Sequence, residues 1–179
     1  MDLKSRCIKR LSWLGPNIVL NMAAASIIAA NEATLKEVIA LAVFLPIVSD
    51  MSGCSGNQAV AVSIRELTLG IHRPGDYWRV VIKEGAVGII NGLVLGLLLG
   101  FTAYLWKGNI YLGLVVAIAL SLNTILSVLL GGLVPLFLKR MKVDPALASG
   151  PILTTCTDMC GFLLVLSLAS AMLAQLAGV

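Results

Sequence analysis

Two aspartates stand where a water-soluble chain would have no reason to put them. Asp158 lies within PILTTCTDMC (residues 151–160), and Asp50 lies within FLPIVSDMSGCSGNQAV (residues 44–60). At the centre of a bilayer an ionised carboxylate is unfavourable by about 2.5–3.5 kcal/mol on insertion scales, so such a group points to function. On a helix, Thr154, Thr155 and Gly161 share the face of Asp158, with Pro151 two turns away. Asp50, Gly53, Cys54 and Asn57 fall at i, i+3, i+4 and i+7, another single face, continued by Pro46. Neither stretch holds a Lys or Arg, which leaves a cation or a proton as the counter-charge. Carboxylate, amide, hydroxyl and carbonyl oxygens are hard donors that suit Mg²⁺, Ca²⁺ or Mn²⁺ over copper. Few protein ligands with room for water favour Mg²⁺, which dehydrates reluctantly. Cys54 is the one soft group on its stripe and keeps transition metals open. Cys156 and Cys160 flank Asp158 at two residues and turn away from it, which argues against a Cys–Asp–Cys clip on that helix.

The elements that carry these aspartates follow from composition. The 179 residues are 59% hydrophobic and 12% charged, against about 25% charged in soluble domains. A domain of this size cannot hide so much apolar surface, so the reading is an all-α integral membrane protein of the inner or plasma membrane. The basic start MDLKSRCIKR runs into a full-length apolar segment without a cleavage site, unlike a signal peptide. Five segments have the roughly 20 apolar residues of a spanning helix: 11–30, 37–63, 80–105, 110–138 and 149–176. With the N-terminus cytoplasmic, that side takes eleven of the thirteen Lys and Arg, all but Lys36 and Lys107. The bias predicts N-terminus inside and C-terminus outside, and it argues against a nucleic-acid-binding face. Trp13, Trp78, Trp106 and Tyr111 fall at expected boundaries, as interfacial anchors do.

Gly88, Gly92, Gly96 and Gly100 recur every four residues in the third span and predict a close helix–helix contact. Asn123, Thr124 and Ser127 in the fourth span, with Pro16, Asn17 and Asn21 in the first, are expected to bond between helices. The cysteines read as small packing residues, and His72 as a solvated loop residue.

Three stretches carry a family likeness: LAVFLPIVSDMSGCSGNQ, RELTLG and DPALASGPILTTCTD. With them the whole chain, 1–179, resembles the transmembrane domain of MgtE-type magnesium transporters and channels. The resemblance implies a five-helix subunit that pairs as a homodimer, with a cation path on the twofold axis lined by the second and fifth helices. It implies that Asp158 holds a largely hydrated Mg²⁺, the transported ion. Backbone oxygens of Thr154 and Gly53 would face that ion, and Asn57 would lie along its path. Asp50 stands where the family commonly has glycine, and Gly150 where it often has asparagine. Four carboxylates would then surround one axis, which bears on how tightly and which ion binds. Only ten residues precede the first span, so no cytosolic sensor with CBS modules is expected, and regulation would fall to a separate cytosolic partner or another device.

The functional expectation is Mg²⁺ transport through an acidic pore at the dimer axis, not enzymatic catalysis. A cation/proton or cation/sodium exchanger is the alternative, as is another divalent metal such as Mn²⁺, Co²⁺ or Ca²⁺. An intramembrane aspartyl protease is disfavoured, because "SD" and "TD" match neither the YD nor the GxGD signature of such enzymes.

Overall fold

Where a backbone runs through apolar surroundings its N–H and C=O groups must pair within the segment, and long apolar runs therefore become helices. The computed structural model describes residues 3–71 and 75–176, without the side chains of Arg6 and Lys9. His72 and Arg73 lie outside the described residues. Five long helices are α1 (Leu3–Ala30), α3 (Leu41–Thr68), α4 (Tyr77–Lys107), α5 (Ile110–Arg140) and α6 (Pro145–Ala171). Two short ones are α2 (Glu32–Glu37) and α7 (Leu173–Leu176). A long helix covers most of each of the five expected segments, with shifted ends. The first begins eight residues earlier than expected, and Met172 breaks the last before α7.

Four of these helices, α1, α4, α5 and α6, are long and apolar enough to cross a membrane. At 28 residues α3 matches α1 in length, about 42 Å at 1.5 Å per residue. Its Ser, Asp, Gly, Asn and Gln content keeps it out of that group on composition.

Local chemistry sets the helix ends. The Asn109 side chain accepts from the N–H groups of Tyr111 and Leu112 and starts α5. Asp144 accepts from Ala146 N–H at 3.0 Å, with Pro145 at the first helical position, so the DP of DPAL is a helix start. Gly70 and Gly108 end α3 and α4 in the left-handed conformation. At the end of α5 that position belongs to Lys142 (φ 62°), inside a Schellman turn closed by Val143 N–H to the Leu138 carbonyl at 3.0 Å.

Helix α5 is central and packs against α3, α4 and α6, while α1 lies along α6. The α4 glycine strip seats directly on α5. A Cβ at Gly92 would come within 2.6 Å of the Ser121 carbonyl, and one at Gly100 within 2.7 Å of the Gly113 carbonyl. Ser121 in turn donates to the Gly92 carbonyl at 2.9 Å. At the adjoining face of α5, Gly56 of α3 abuts Ser127 and Gly131, and Ser63 donates to the Gly132 carbonyl at 3.0 Å. Phe44 of α3 meets Trp106 of α4 edge-on at 6.0 Å, closing the end of the bundle where α3 begins.

Gly92→Val should force α4 off α5 and cost about 1–3 kcal/mol, read as earlier thermal loss of the monodisperse species in detergent. Gly85→Ala is the matched control. Its Cβ would meet only Leu129 Cδ2 at 3.6 Å, so no loss is expected.

Candidate cation site

Asp158 lies thirteen residues from the C-terminal end of α6, and Asn123 thirteen residues from the start of α5 at the same end of the bundle. Both are therefore about 20 Å deep along their helices. There the Ser49 hydroxyl of α3 donates to Asp158 Oδ1. This bond ties the two helices that carry the aspartates, and it comes from a residue the motif reading did not single out.

Around it runs a buried polar network. Asn123 Nδ2 donates to Ser52 Oγ at 2.6 Å and to the Thr157 carbonyl at 3.1 Å, so one α5 amide joins α3 to α6. Ser127 donates to the Ser52 carbonyl at 2.6 Å. These bonds bear out the interhelical role expected of Asn123 and Ser127. Thr124 does not share it. One residue on, it is rotated by about 100°, and its buried hydroxyl has no hydrogen-bond partner. In α1, Asn17 accepts from Thr155 at 2.9 Å.

The five site candidates separate into two environments. Asp158 and Thr154 are half-buried and Gly53 is buried at the junction of α3 with α6, where a Cβ on Gly53 would sit 3.8 Å from Thr157 Oγ1. Asp50 and Asn57, with Pro46 and Cys54, are exposed on the adjoining face of α3. The stripe read from spacing is thus split, because at Gly53 the helix surface has already turned toward α6. The Thr154 carbonyl accepts from Thr157 Oγ1 at 2.9 Å. The Thr154 hydroxyl turns back to the Gly150 and Pro151 carbonyls at 3.1 and 3.2 Å. That is the local back-bonding of a helical threonine to the carbonyls three and four residues before it. Among the described residues no three or more His, Cys, Asp or Glu side chains gather. The chain by itself therefore offers a carboxyl, hydroxyls and carbonyls, which are hard oxygen donors of the kind that hold a hydrated Mg²⁺ or Ca²⁺. All four cysteines are free. Cys156 and Cys160 are half-buried, whereas Cys7 and Cys54 are exposed where packing was expected.

Ser49, Ser52 and Thr157 are the contributors that motif reading missed. The signal was present as Ser49, Ser52, Gly56, Ala59 and Ser63, a run of small residues at helical spacing that marks the face where another backbone approaches.

Sequence comparison decides the family. Residues 45–168, which include all of this network except Asn17, match MgtE, described as a divalent cation transporter. The chain belongs to the MgtE family. The magnesium transporter MgtE of Bacillus subtilis is 38% identical over 168 residues, which cover 94% of this chain and 37% of that protein. Its counterparts in Thermus thermophilus and Enterococcus faecalis are 37% and 33% identical, over 93% and 90% of this chain. The chain thus spans a little over a third of the length of the curated relatives it matches. The family is one of membrane transporters rather than enzymes, in keeping with the apolar helices here.

Ser49→Ala should keep the fold, because interhelical hydrogen bonds in membranes average about 0.6 kcal/mol and reach about 1.7. Asn123→Leu should cost more, since it removes the two bonds by which α5 holds both α3 and α6. Unfolding in mixed detergent micelles should rank the two in that order.

Proposed function

We propose that this chain carries Mg²⁺ across the membrane along a wet path lined by α3 and α6. The observation that carries the reading is Asp158, held at mid-helix depth by Ser49 of α3, in a chain of the divalent cation transporter family. The curated relatives are named magnesium transporters, and this chain's hard oxygen donors suit the same ion.

In this reading α3 spans the bilayer despite its polarity, which gives five spans with the N-terminus cytoplasmic and the C-terminus outside. An exposed face bearing Asp50, Asn57 and Gln58 is unfavourable against lipid and is tolerated only against protein or a water-filled cavity. A second copy of the chain supplies that cover, so the assembly is a homodimer with the path on its axis. Asp158 attracts the ion and holds it through its waters. Gly53 and Thr154 lie beside it, and Asp50 and Asn57 extend the acidic lining toward the partner. For the Thr154 carbonyl to face the ion, Thr157 Oγ1 must release it. The membrane potential then draws a divalent ion inward with about 4.6 kcal/mol per 100 mV, twice the value for a single charge.

The test is Mg²⁺ uptake into proteoliposomes under a set potential. Asp158→Asn should lower uptake at least tenfold while the protein stays folded, and Ser49→Ala should lower it severalfold by freeing the carboxyl to rotate. Unchanged uptake in Asp158→Asn removes the site. Asp50→Asn should shift the preference among Mg²⁺, Mn²⁺, Co²⁺ and Ca²⁺ in competition more than it lowers the rate. Uptake that collapses an imposed pH or Na⁺ gradient in step with Mg²⁺ entry would replace this reading with exchange.

A further inference from the structure

Where α4 begins and α5 ends, a groove of about 410 Å³ opens on the outside of the bundle, lined by Tyr77, Trp78, Val81, Leu133, Val134 and Phe137. It lies on the outer surface of the α4–α5 pair, away from Ser49 and Asp158. Trp78 is 80% exposed at its rim. At its mouth the fully exposed guanidinium of Arg140 lies beside the Tyr77 side chain, and Lys139 is exposed next to it. Lys142 follows in the left-handed conformation, where the ends of α3 and α4 use glycine. The turn thus holds a third cation beside the groove at a position that favours a residue without Cβ.

We infer that this groove binds an anionic phospholipid, with an acyl chain along the apolar wall and the phosphate on Arg140. The acyl chain gives little preference, because a tail leaving bulk lipid exchanges one apolar environment for another. Selection therefore rests on the headgroup. A guanidinium presents paired N–H donors that match phosphate oxygens, and the flanking lysines add charge. Basic clusters at the ends of membrane helices recognise anionic headgroups in the same way.

The experiment reconstitutes the 179-residue chain in nanodiscs of equal phosphatidylglycerol and phosphatidylcholine and counts co-purifying lipids by native mass spectrometry. Phosphatidylglycerol should be retained in preference. Arg140→Ala should reduce its retention about fivefold, as expected for one basic contact at an anionic surface, and the exposed position leaves folding untouched. Val134→Trp fills the groove with every charge in place and should displace the lipid. Equal retention of both lipids overturns the proposal. So does a loss confined to Arg140→Ala, which would mean diffuse attraction to the surface, and so does a Val134→Trp variant that instead dissociates a dimer, which would mean a second copy covers the groove.

Discussion

A polar group taken out of water must find a partner, and this requirement organises the centre of the molecule. Asp158 has the most to lose, and the Ser49 hydroxyl meets it across the α3–α6 boundary. Asn123 then carries the connection to α5 through Ser52 and the Thr157 carbonyl. The least apolar long helix, α3, is thereby fixed to its neighbours by directed bonds. In lipid, where helices gain nothing by hiding apolar surface from water, such bonds and close backbone approach are the available means. The α4–α5 pair uses the second of them, with its glycine strip against the Gly113, Ala117, Ser121 and Ile125 positions.

Those two means differ in how plainly they show in a sequence. The glycine strip was legible because a four-residue period of one residue type has a single simple reading, and α4 packs along it. Helix starts at Asn109 and Asp144 were equally readable in principle, through an N-cap side chain and a following proline. The site was legible in its residues but not in its orientation. Around α3 nearly every position from 49 to 58 is small or polar, so no apolar stripe marks which side faces its neighbours. Spacing grouped Gly53 with Asp50 and Asn57, whereas packing sends Gly53 inward and the other two outward. Thr124 was misjudged for the same reason, since adjacent positions on a helix point about 100° apart. The left-handed Lys142 had no sequence signal at all, because the turn geometry there overrides residue preference.

The two polar faces of α3 have different consequences. The inner face, with Ser52, Gly56 and Ser63, is buried and saturated by bonds to α5, so a change there acts on stability. Along the outer face, Pro46, Asp50, Cys54 and Asn57 are exposed on the chain, so a change there leaves the fold and acts on whatever that face meets. Ser49 and Asp158 sit on the border between the two. A half-buried carboxyl with one oxygen engaged by Ser49 keeps its other oxygen available, and in the proposed function a hydrated cation is held there through its waters without dismantling the bundle. The same serine bond therefore makes the carboxyl tolerable at depth and fixes its direction, so in the proposed function stability and ion handling meet at this one pair.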